Sequence, residues 1–198
     1  MTKDLVLHIQ NTTLFIIANA SFIACIYSYM TQKQYGFRCI EPTLILYSLV
    51  DLFVNKSIDI KIHHTFTLGI ISYIYFFCVT DNDNNVFVYT LFSTEISSIF
   101  YVAKYYLPIN STIYYINNII FFLLFFKLRI IDYSRNIIYW NSELYSILDK
   151  YSPDNKIGSS ILLTSCYGLY LLNIYWFILI STILFKILTN NKTKVKKE

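Results

Sequence analysis

Charge is what this sequence has little of. Only 14% of its 198 residues are Asp, Glu, Lys or Arg, against about 25% in an ordinary soluble domain. That deficit argues against a typical cytosolic fold. Histidine is rarer still: His8, His63 and His64 are the whole complement. The multi-histidine boxes of membrane di-iron desaturases and hydroxylases cannot be built from three. The HExxH helix of zinc proteases, the P-loop and the GxSxG elbow are all missing. Cys25, Cys39, Cys78 and Cys166 form no CxxC, and three of them lie inside apolar runs. A disulfide framework and a zinc site are therefore not expected. Two adjacent histidines with an acid do not make a convincing ligand set, so neither metal nor cofactor is expected. No small-x-small cleavage site follows a short apolar core near the start. The first apolar run is expected to stay as an anchor rather than leave as a signal peptide.

What is abundant is apolar. Hydrophobic residues make up 56% of the chain and aromatics 19%, while Gly (4) and Pro (3) are few. The mean hydropathy of +0.48 is modest for a membrane protein, because Tyr, Asn and Thr dilute it. Ile, Tyr, Phe, Asn and Lys all have A/T-rich codons, so base composition explains much of their frequency. A helix crossing a hydrocarbon core about 30 Å thick needs roughly 17–25 mostly apolar residues. Runs that meet or approach this are 14–30, 43–54, 62–79, 86–106, 113–131 and 161–188. The second is short and starts just after Pro42, a residue tolerated in a first helical turn. Residues 80–85 (TDNDNN) and 108–111 read as turns, and 132–160 is mixed. Barrel strands would alternate polar and apolar positions; these runs do not. Helices satisfy their own backbone in lipid. The expected fold is an all-α membrane protein, a bundle of about six transmembrane helices.

Charge placement suggests a topology. With a cytosolic N-terminus, nine Lys and Arg fall on the cytosolic side and seven on the other, the margin resting on the lysine-rich tail. A basic tail beside an apolar run reads as a topology signal, not a nucleic-acid arm. Its end, Lys194-Val-Lys196-Lys-Glu198, fits the K-x-K-x-x signal for retrieval to the endoplasmic reticulum. That membrane, or another endomembrane, is the expected location. The sequons at Asn11, Asn55, Asn110 and Asn191 all fall on the cytosolic side in this topology and should carry no glycan.

Ionisable groups inside spans are costly, face the bundle interior and often mark a site. Asp51 lies in the second span. Asp59 and His63 enter the third four residues apart, on one helical face. A carboxylate there can orient one imidazole nitrogen and leave the other free. His64 is rotated about 100° from His63. Glu95 stands in the fourth span among Thr94, Ser97 and Ser98. Asn118, Lys127 and Arg129 lie on the fifth, where Lys127 is expected to snorkel and Arg129 to pair with an acid such as Glu95 or to hold a lipid phosphate.

These residues resemble the TLC domain, the membrane fold named from translocating-chain-associating proteins and ceramide synthases. The central match runs from Tyr47 to Asp51, then Asp59, then Ile62-His63-His64-Thr-Phe-Thr67-Leu68. It is similar to the family's Asp…Asp…IHH-x-x-T-L signature. Three further matches follow in order: Thr94-Glu95 through Phe100 and Lys104; Asn118 through Phe126 to Arg129; and Leu171-Leu-Asn173-Ile-Tyr-Trp176. The divisions implied are an N-terminal segment 1–13, a first helix and loop 14–39, a TLC-like region 40–188 and a basic tail 189–198. Ceramide synthases carry a His-Asp pair where Ser93, Thr94 and Glu95 stand here, and a His where Asn173 stands. The sequence is thus more similar to the small TLC-domain proteins.

The resemblance implies helices around a central cavity suited to a lipid chain, with a polar head held by inward groups. The implied catalytic candidates are His63, His64, Asp59 and Asp51; the implied substrate-binding candidates are Glu95, Asn118, Arg129 and Asn173. Three functions fit. One is binding, sensing or trafficking of a membrane lipid. Another is acyl transfer to a lipid, with acyl-CoA as a second partner and a His63/His64 centre. The third is a translocon accessory. Of these, lipid binding is the preferred expectation, because the ceramide synthase set is incomplete.

Overall fold

The computed structural model describes residues 3–31, 35–77, 85–109, 111–139, 144–145, 147–148 and 156–195. They form α1 (Lys3–Thr31), α2 (Tyr35–Val54), α3 (Ile58–Phe77), α4 (Asn85–Ser93), α5 (Ile96–Ala103), α6 (Thr112–Leu124) and α7 (Lys156–Val195). After α6 the chain continues in wider π turns, Phe125–Asp132 and Ser134–Ile138. There Tyr139 N–H bonds back five residues to Ser134 O at 3.0 Å. No strand occurs among the described residues.

Among the described residues four stretches are long and apolar enough to cross a bilayer: His8–Tyr27, Val86–Ala103, Thr112–Ile138 and Lys156–Lys186. α2 and α3 have 20 residues each, about 30 Å of helix. Their apolar content is diluted by Arg38, Glu41 and Asp51, and by Asp59, Lys61, His63 and His64. Most expected bounds move outward. α2 starts well before Pro42, which sits inside the helix, not at its first turn. α7 has 40 residues, about 60 Å, so it outruns the hydrocarbon core at one end or both. The mixed segment is helical as far as Ile138 and again from Lys156. The turn at 80–84 and the last three residues of the dilysine tail lie outside the described residues.

The fourth span is broken. Thr94 N–H and Glu95 N–H bond only three residues back, to Leu91 O (3.3 Å) and Phe92 O (3.1 Å). Ser98 N–H likewise takes Glu95 O at 2.9 Å, so Thr94 O loses the partner a regular α-helix gives it. A freed carbonyl in a buried turn needs another donor, and this one becomes part of the site.

The helices close a ring. α1 packs on α2, α2 on α3, α3 on α7, α7 on the π-helical extension of α6, α6 on α5, and α5 back on α1. α4 fills the remaining angle against α1 and the π turns. The ring has its polar residues inside. Ser48, Asp51, His64, Glu95, Arg129 and Asn173 are buried, whereas Phe53 (86% exposed), Met30 (77%) and Phe185 (68%) point outward. Water would reverse that distribution, while lipid favours it. The chain is an all-α membrane protein. At its centre a cavity of about 20 Å³, lined by Leu44, Thr67, Ile70, Leu91, Glu95 and Leu169, has room for about one water. The lipid-sized central cavity that the resemblance implies is not open among the described residues: this space is too small for a lipid chain with the helices at these positions.

Candidate functional site: two polar clusters inside the helix ring

The first cluster is built on Asp51, near the end of α2. Its Oδ1 accepts from Gln10 Nε2 of α1 at 2.6 Å. Its Oδ2 accepts from Asn55 Nδ2, one turn on, at 3.1 Å. His64 Nε2 of α3 lies 2.9 Å from the same oxygen. A buried carboxylate is tolerable only when donors surround it, and α1, α2 and α3 meet around this one. At that distance Nε2 donates to the carboxylate, which fixes the orientation of the ring. The Nδ1 atom is buried and has no hydrogen-bond partner among the described residues. Tyr47, one turn before Asp51, sets its ring edge-on to His64 at 5.3 Å.

Asp59 does not bond to His63. It accepts from Ser57 Oγ and, through Oδ2, from Trp176 Nε1 of α7 at 2.9 Å. His63 is held by rings, with centroids 5.2 Å from both His64 and Trp176. It makes no hydrogen bond among the described residues, and its Nδ1 is also buried without a partner. The two imidazoles therefore lie side by side, one oriented by a carboxylate and the other by an indole.

The second cluster surrounds Arg129, which is 5% exposed. Its Nε donates to the freed Thr94 O (3.1 Å) and to Ser97 Oγ (3.0 Å). Nη2 donates to Ser98 Oγ at 3.2 Å and lies 3.7 Å from Glu95 Oε1. Nη1 reaches Asn173 Oδ1 at 3.4 Å. The Phe125 ring covers the guanidinium at 5.3 Å. Five donors in a planar fork suit this cage, and a lysine has no equivalent. The break after α4 thus serves α6: it supplies the backbone acceptor and turns Glu95, Ser97 and Ser98 toward Arg129.

Asn118 joins neither cluster, because its Nδ2 bonds Tyr114 O within α6 at 2.8 Å. Its neighbour Asn117 instead donates to Phe100 O of α5 at 2.9 Å. Lys127 does not snorkel freely; it pairs with Asp132. Gln10, Asn55 and Asn117 are polar partners that reading the sequence missed. For Asn55 a signal existed, its position four residues after Asp51. Among the described residues no three His, Cys, Asp or Glu side chains are grouped to hold a metal. What the first cluster offers chemically is an imidazole oriented by a carboxylate with its second nitrogen unpartnered among the described residues; the second offers a fixed positive charge in a dry setting.

A ring of membrane helices with a polar interior and a histidine–carboxylate pair on adjacent helices defines the class. The TLC domain family model matches residues 5–182, and the chain belongs to that family. No curated protein and no solved structure matches it.

Proposed function

We propose that this TLC-domain protein binds a membrane lipid between its helices, with the polar head received by the two interior clusters. One observation carries the reading. His63 Nδ1, His64 Nδ1, Thr67 Oγ1 and Asn173 Nδ2 are buried in the ring with no hydrogen-bond partner among the described residues. Each such atom is costly in a low-dielectric interior. Together they offer acceptors and donors to a polar guest. The cavity of about 20 Å³ admits the guest once neighbouring helices part, a motion of the kind that gates many sites.

A second reading is acyl transfer to a lipid. The His64–Asp51 pair at 2.9 Å favours it, since an imidazole oriented by a carboxylate is the general-base arrangement. Two positions count against it. Asn173 and Glu95, which stand where the resemblance places a His and acidic residues of ceramide synthases, are engaged with Arg129. The translocon reading gains no support from a polar cluster enclosed within the ring.

The test is mass spectrometry of lipid co-purified with wild type, His63→Ala and His64→Ala proteins. Binding predicts that a bound lipid is lost from the variants with its structure unchanged. An acyl adduct or a transferred acyl chain present only in wild type establishes the enzyme instead.

A further inference from the structure

The outer face of the ring carries a groove that the interior clusters do not use. It runs between α3 and α7 and measures about 540 Å³, within the range of roughly 300–1,000 Å³ for ligand pockets. Phe66 and Gly69 form one wall, and Lys156, Ser160, Ile161 and Thr164 the other. Close helix packing shapes it. A Cβ on Gly69 would stand 2.3 Å from Ser165 Oγ, and one on Gly168 would stand 2.3 Å from the Phe66 ring. The small side chains at this seam leave the hollow beside it unfilled.

Its chemistry is graded along its length. From Lys156 to Ser165 the rise along α7 is about 14 Å, close to half of a core about 30 Å thick. The groove is therefore about as long as one leaflet is thick. At one end Lys156 is exposed, and among the described residues no carboxylate pairs with it. Deeper in, Ser160, Thr164 and Ser165 line the wall. Ser165 is only 6% exposed, yet its hydroxyl has no hydrogen-bond partner among the described residues. Phe66 and Ile161 supply apolar surface alongside.

We infer that this groove seats one phospholipid with a net negative headgroup. The phosphate lies at Lys156, the ester carbonyls face the hydroxyls of Thr164 and Ser165, since Ser160 Oγ already donates to Lys156 O at 2.9 Å, and an acyl chain follows Phe66 and Ile161. Charge complementarity selects this occupant. A sterol leaves Lys156 without a counter-charge. A second copy of the chain, related by a two-fold axis along the membrane normal, brings Lys156 toward its own image.

The test uses the full chain in neutral detergent, offered equal amounts of phosphatidylglycerol and phosphatidylcholine, with bound lipid read by native mass spectrometry. Wild type should retain the anionic lipid about fivefold over the neutral one, the worth of one interfacial lysine. Lys156→Gln should bring that ratio near one while keeping lipid bound. Thr164→Phe, which fills the groove from an exposed position, should lower both lipids. If that variant melts early, Lys156→Gln alone decides. An even ratio in wild type, an unchanged ratio in Lys156→Gln, displacement by cholesterol, or a dimer without lipid overturns the inference. The site is separate from the interior: a lipid lost in His64→Ala, with the headgroup ratio unchanged in Lys156→Gln, reports the ring, and a ratio abolished in Lys156→Gln but kept in His64→Ala reports the groove.

Discussion

Trp176 donates its indole N–H to Asp59 Oδ2 over 2.9 Å, from a helix 117 positions further along the chain. The bond ties α7 to the first turn of α3 and lays the indole against His63. It fixes where His63 sits although the acid does not touch that imidazole. A hydrogen bond to a charged acceptor contributes about 1.5–3 kcal/mol. A double-mutant cycle of Asp59→Asn and Trp176→Phe, measured by unfolding in detergent, should return a coupling near the lower end of that range. A coupling near zero means that the two residues are only neighbours.

Asp51 gathers donors from three elements, so its loss should be felt widely. Asp51→Asn keeps the size but removes the charge opposite His64. Each hydrogen bond to a charged acceptor contributes about 1.5–3 kcal/mol, and three donors face this carboxylate, so the loss should lie at or above the top of that range. Gln10→Leu, which removes one hydrogen bond to the same carboxylate, should cost less, about 1.5 kcal/mol. Thermal melts of the two variants check the order. Equal melting of wild type and Asp51→Asn contradicts the assigned role.

Arg129 uses its fork on partners from α7 and from the break after α4. Arg129→Lys preserves the charge and loses that geometry. It should destabilise the protein nearly as much as Arg129→Met, by about 3 kcal/mol or more, read as earlier melting and aggregation on size exclusion. Recovery of wild-type stability by lysine shows that charge alone suffices.

The sequence displayed the helices because lipid imposes continuous apolar runs, and it displayed the interior because charges in such runs must face inward. Asp51, His64, Glu95 and Arg129 were found on that ground. Partners across helices were harder to read. Helical spacing put Asp59 and His63 on one face, but the carboxylate found an indole on α7 that no local rule connects to it. Asn118 and Asn117 differ by about 100° of rotation, enough to choose the wrong one of two adjacent asparagines. Lys127 and Asp132 are five residues apart, a spacing that meets on π turns and not on α turns. The break at Thr94 and Glu95 was visible as polarity but not as geometry.

Topology gives a further prediction. The Asn55 side chain donates to Asp51 and accepts from Ser57 N–H at 3.0 Å, so a glycan there would crowd the nitrogen that faces Asp51. Asn55 should remain unmodified in a eukaryotic membrane, with no mobility shift on endoglycosidase treatment. A glycan at Asn55 would reverse the orientation and displace the first cluster.

The central claim is that the polar interior of the ring receives a lipid head. The most direct measurement is cross-linking with a phospholipid bearing a photoreactive group near its headgroup, followed by peptide mapping. The account predicts adducts on the facing ends of α2 and α3, around Tyr47, Asp51 and His63, and their loss in His64→Ala protein that melts like wild type. Adducts confined to outward residues such as Phe53 and Phe185, unchanged in that variant, would contradict it.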